Sequence, residues 1–220
     1  MVPEIGRAHQ FRTLVVLFAF TVALTVAVHA SVLGVGGTAP PTALAPDVTS
    51  SLLATASGTI TTPSFSTDYT AQVLADPTNN FCSGCLDFLY QYTNHGAAPN
   101  QRFSMSSFAG FMIDAGTNPF GGHDPNTVSR SMTLSGDVIS FNFDQFGNDI
   151  MPGETTVTLV IETNARSFVP GFLSAQDGTA GFGNAFQPAG VPAVPEPASL
   201  MLLGSGVTGL AAFLRRRKAR

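Results

Sequence analysis

Between about residues 47 and 186 the apolar and polar positions alternate with a period of two. "TVTLVIET", residues 156–163, puts Val157, Leu159 and Ile161 on one face and mostly Thr and Glu on the other, as in a strand with one buried side. "DVISFNFD", residues 137–144, alternates in a similar way, and "LDFLYQYTN", "RFSMSSFAGFMI" and "SFSTDYTAQVLA" read as further strands. Gly, Pro, Asn and Asp punctuate them in "DPTNN", "GTNPFGGHDPNT" and "NDIMPGE", the residues that turns require. No segment outside the termini sustains a helical period. Strands at this spacing, without intervening helices, predict an all-β fold: a single antiparallel β-sandwich, jelly-roll or Ig-like, of about 140 residues, enough for one core.

Aromatic composition fits a packed interior. The chain has 18 Phe, 3 Tyr and no Trp. Phe65, Phe88, Phe103, Phe108, Phe141, Phe143 and Phe168 fall in the strand-like runs and are expected to fill the space between two sheets. A sugar-binding platform more often exposes Trp or Tyr, so a carbohydrate-binding module is the second reading.

The termini break this pattern. Arg7, His9 and Arg12 precede the apolar stretch of residues 14–28, which runs into "VHA" before Ser31. That order reads as a signal peptide, residues 1–30, with signal peptidase cutting between Ala30 and Ser31. The other reading is a retained anchor, and in either case the middle of the chain is exported. At the far end, residues 198–214 are uncharged and at the short limit of a membrane-spanning helix. Arg215, Arg216, Arg217 and Lys218 come next, and such a basic tip stays in the cytoplasm by the positive-inside rule.

Charge placement separates these ends from the middle. The chain holds 10 Lys+Arg and 14 Asp+Glu, but Arg102, Arg130 and Arg166 are the only basic residues of 31–197, against thirteen carboxylates. Such a surface repels phosphates, so no nucleic-acid partner is expected. The organisation expected is a linker at 31–46, rich in Gly and Pro, the sandwich at 47–186, a second linker at 187–193 and a C-terminal signal at 194–220.

Val194, Pro195, Glu196 and Pro197, the short apolar run and the arginine-rich tip together resemble the PEP-CTERM sorting signal of Gram-negative bacteria. The resemblance implies export by the general route, transient retention in the inner membrane, and removal of the tail by exosortase, a membrane-embedded, cysteine protease-like enzyme. Pro195, Glu196 and Pro197 would be recognition elements of a substrate. It also implies delivery to the cell surface or exterior, as a structural or matrix component associated with extracellular polysaccharide. "CLDFLYQYTN" and "PGETTVTLVIETNA" are similar to segments of PEP-CTERM ectodomains and bring no functional residues with them.

Candidate chemistry elsewhere is sparse. Cys82 and Cys85 form a C-x-x-C with three readings. Zinc needs four ligands, and the exported part adds only His95 and His123, at no recognised spacing. A redox pair needs a helix N-terminus at the first Cys, but a strand pattern comes after it. A local disulfide closing a turn in an oxidising compartment suits both the spacing and the export. His95 and His123 lie in loop-like stretches without a nucleophile elbow. Asp124, Asp144, Asp149 and Glu154, with Asn126 nearby, form no EF-hand pattern. The expectation is a non-enzymatic protein without metal or cofactor, with a secreted hydrolase as the third reading.

Overall fold

The computed structural model describes residues 32–133, 136–144 and 147–190. Among them are twelve strands and no helix. In chain order they are β1 (Thr38–Ala39), β2 (Thr42–Ala43), β3 (Ser51–Thr61), β4 (Ser66–Asp76), β5 (Cys85–Asn94) and β6 (Arg102–Met105). After these come β7 (Ile113–Asn118), β8 (Thr127–Arg130), β9 (Ile139–Asn142), β10 (Thr158–Thr163), β11 (Ser167–Asp177) and β12 (Thr179–Ala189). A first sheet has the order β1-β8-β9-β6-β11-β12 and a second β2-β7-β10-β5-β4-β3.

The two sheets share one core. Val157, Leu159 and Ile161 all enter it, as their alternation predicts. Tyr92 of the second sheet stacks on Phe103 of the first with ring centroids 3.7 Å apart, and Phe143 meets Phe103 edge-on at 5.7 Å. Six of the seven phenylalanines expected inside are buried; Phe168 is half-buried and packs edge-on against Phe186.

One pairing departs from the antiparallel expectation. β2 runs parallel to β7, Thr42 beside Gly116, so the second sheet is mixed. The cause is Pro40-Pro41 between β1 and β2: each ring fixes its own φ and biases the preceding residue to extended geometry. The chain therefore passes from the edge of one sheet to the edge of the other without reversing. The approach is so close that a Cβ at Gly116 would overlap the Thr42 carbonyl.

The expected linker boundaries also shift. Residues 31–46 read as a linker that does not pack, yet β1 and β2 lie within them, Leu33 joins the main core, and Leu44 packs on Leu89 and Val160 over the second sheet's outer face. Buried Arg130 secures this segment, donating from Nη1 to Leu33 O (3.2 Å), Nε to Gly136 O (3.0 Å) and Nη2 to Phe108 O and Phe111 O (3.2 and 2.9 Å). The backbone finds partners in neighbouring strands, which low apolar content alone does not reveal. At the other end β12 runs to Ala189, past the expected boundary at 186.

The hairpin of β11 and β12 turns at Gly178, whose φ of 61° is left-handed and suits glycine. Its second strand inverts the usual pattern. Gly181 lies under Ile60, Thr62 and Phe65, and Gly183 under Tyr69, while Phe182 stands 71% exposed on the opposite face. Side chains from β3, β4 and their connecting turn occupy the space that large inward residues of β12 would need.

Candidate functional site

A concavity lies on the outer face of the first sheet. Strand alternation sends Phe103, Met105, Ile139, Phe141, Leu173 and Ala175 into the core, so Ser104, Ser140 and Ser174 face outward. Register places these three serines on one rung, with Ser140 opposite Ser104, Ser104 opposite Ser174, and Phe182 next in line. Small side chains there leave a trough of about 660 Å³, flanked by Phe172, 59% exposed, and Phe182. Ser104 and Ser140 share a hydrogen bond of 2.8 Å. On the next rung Arg102 donates from Nε to Asn142 Oδ1 (2.7 Å), and its Nη2 lies 3.7 Å from an oxygen of Asp144. The guanidinium is thereby held with its charge offset.

A second polar cluster lies on the outer face of the second sheet. Glu162 stands directly between Asp114 and Asp87 across three strands, an arrangement in which like charges repel. All three are buried, with Asp76 close by. Burial, helped by the charges of Glu162 and Asp76 and opposed by the bond from Asn79, pushes the Asp87 pKa up to about 8. Burial likewise raises those of Glu162 and Asp114. Asp87 Oδ1 accepts from Asn79 Nδ2 at 2.7 Å, and the same carboxyl lies within hydrogen-bonding range of that of Asp76. Among the described residues no group of three His, Cys, Asp or Glu is arranged to hold a metal ion.

The C-x-x-C belongs to the loop that covers this cluster. Asn80 donates to Glu162 Oε2 (2.7 Å), Thr78 N and Oγ1 bond Asp76 Oδ1 (2.7 and 2.8 Å), and Phe81 N bonds Asn79 Oδ1 (2.8 Å). The sulfurs of Cys82 and Cys85 stand at disulfide distance, with Cα atoms 5.3 Å apart, in the range for a bridge. Protein recovered from the periplasm should therefore show no free thiol by mass spectrometry; two free thiols, or bound zinc, would remove the disulfide. Reducing the bridge should cost little, since so short a loop constrains the unfolded chain weakly.

The remaining candidates are dispersed. His95 Nε2 pairs with Asp68 at 3.0 Å on the surface. His123 Nδ1 lies 3.3 Å from Glu154, and its Nε2 is 2.7 Å from Asn148 Oδ1, joining two loops. Asp144 belongs to the Arg102 pair, and Asp124 lies near Thr117. The structure thus brings His123 and Glu154 together and leaves Asp144 and His95 in separate pairs. Ala30, Ser31, Pro195, Glu196, Pro197, Arg215, Arg216, Arg217 and Lys218 lie outside the described residues, as do the expected signal peptide and C-terminal helix.

The fold defines a two-sheet β body, and the comparisons address its tail. Residues 193–218 match the PEP-CTERM protein-sorting motif. The chain thus carries the signal that exosortase recognises, which marks an exported protein sorted to the cell surface. Comparison with curated proteins and with solved structures finds no match.

Proposed function

We propose that the protein is a non-enzymatic β-sandwich, jelly-roll or Ig-like, delivered to the cell surface or exterior as a structural component associated with exopolysaccharide. The sorting motif at residues 193–218 carries this reading. Signal peptidase first cuts between Ala30 and Ser31; packing begins at Leu33, so the cut leaves the core intact. The apolar run of the tail then holds the body in the inner membrane, Arg215, Arg216, Arg217 and Lys218 keep the tip cytoplasmic, and the stiff Pro195-Glu196-Pro197 segment is presented to exosortase. The absence of nucleic-acid contact follows from the acidic middle of the chain. His123 ties two loops and His95 pairs with Asp68 of β4, which supports a structural role.

The test is the C-terminal residue of protein recovered outside an exosortase-bearing cell. It should lie upstream of Arg220, and Glu196→Ala should leave uncut precursor in the inner membrane. Recovery of intact Arg220 outside the cell, or normal cutting of Glu196→Ala, would overturn the respective step.

A further inference from the structure

The β11–β12 hairpin exposes two phenylalanines, Phe182 and Phe172, on adjacent outward rungs, while Phe186 and Phe168 on the next two rungs are half-buried and pack against the core. Phe182 is opposite Ser174, Phe172 opposite Asn184, Phe186 opposite Pro170 and Phe168 opposite Pro188. Phe182 and Phe172 thus lie on opposite strands, one rung of about 6.7 Å apart along the hairpin. Phe172 and Phe182 are exposed, although an apolar ring in water forgoes burial worth about 1.5–3 kcal/mol. The trough of Ser104, Ser140 and Ser174 runs alongside, with Gln176 at its end.

A sugar chain complements this pairing of surfaces. A pyranose presents an apolar C–H face and a rim of hydroxyls: the first suits a phenyl ring, and the second suits serine hydroxyls and a carboxamide, each able to donate and accept. Charge narrows the occupant further. The outward positions of β11 and β12 carry no ionised side chain, and the one cation in the trough, Arg102, is offset by Asp144. The surrounding body has thirteen carboxylates between residues 31 and 197 and repels a polyanion. We propose that this face binds an uncharged polysaccharide laid along the hairpin, its sugar faces on Phe182 and Phe172 and its hydroxyls on the serine rung. The inference rests on the reading of the protein as an extracellular partner of polysaccharide and assigns the surface that makes the contact.

The test is electrophoresis of the exported protein through gels containing a β-glucan, a mannan, a galactan or alginate. At least one neutral polymer should retard it, and alginate should not. Phe172→Ser/Phe182→Ser should weaken retardation about tenfold or more, since two ring contacts are lost, with the melting temperature kept because both rings are exposed. Phe120→Ser, equally exposed but off this face, should bind as the wild type does. Retardation unchanged in the double variant, alginate binding of equal strength, or no retardation by any neutral polymer overturns the proposal. So does a dimer in sedimentation that the double variant dissolves without any effect of polysaccharide, which would make the strip a contact between copies. The C-terminal residue of the same preparations separates the outcomes: a cut tail without glycan binding rejects this surface alone, while an uncut tail with glycan binding rejects the processing.

Discussion

Phe103→Ala is expected to lower the free energy of unfolding by about 3–5 kcal/mol, the range for emptying a buried phenylalanine site. Phe103 is fully buried on the first sheet, stacked on Tyr92 of the second and edge-on to Phe143. Removing the ring therefore takes contacts from both layers. Neighbouring strands are fixed by backbone pairing, so the surrounding side chains can close the cavity only partly. A domain of this size has about 5–15 kcal/mol in total, so the variant should melt many degrees lower. Phe120→Ala, at a position 78% exposed, should stay within about 0.5 kcal/mol of the wild type. Denaturant midpoints of the two variants check this directly, and a Phe103→Ala midpoint close to that of Phe120→Ala would mean that the two sheets are not joined through this stack.

The second large effect is on pH dependence. The Asp87 carboxyl has a folded pKa of about 8, against an ordinary value of 3.8. Between those values the native state holds a proton that the unfolded chain has released, so stability falls as pH rises, by at most about 1.4 kcal/mol per pH unit for this one group. The raised pKa values of Glu162 and Asp114 act in the same direction at the acid end of the window. Asp76 acts oppositely: burial raises its pKa, but bonds from Thr78, Asp87 and the Asp47 backbone together outweigh that and hold it low, so its contribution is lost as pH falls through its folded pKa. Melting temperature should therefore decline from about pH 4 towards pH 8. Asp87→Asn keeps an oxygen to accept from Asn79 and carries no charge, so it should flatten the decline and melt higher than wild type at pH 8. A wild-type melting curve that is flat or rises over this range, or an Asp87→Asn variant that melts lower at pH 8, would contradict the assignment.

Legibility in the sequence tracked the direction of the large side chains. β10 could be read because Val157, Leu159 and Ile161 face inward and their neighbours are mostly polar. β12 could not, because its inward positions are Gly181, Gly183 and Ala185 and its outward ones carry Phe182 and Phe186; which strand fills the shared space is settled by Ile60, Phe65 and Tyr69 from distant parts of the chain. The same limit hid the outer trough. Serines spread over residues 104, 140 and 174 become one rung only through strand register. Asp87, Asp114 and Glu162 likewise sit in separate, ordinary-looking strands, and nothing local marks them as neighbours. The sorting tail was legible because its elements are contiguous and depend on order alone.

β12 ends at Ala189, with five residues between it and Pro195. Five residues span at most roughly 17–18 Å, less than the length of the eleven-residue strand before them. On the processing proposed above, an uncut tail would hold the body within a short radius of the bilayer, with β12 the strand next to that leash in the chain. On that proposal, cutting would act on reach as well as on attachment, widening the volume that the hairpin can search from a thin layer at the membrane to the space outside it.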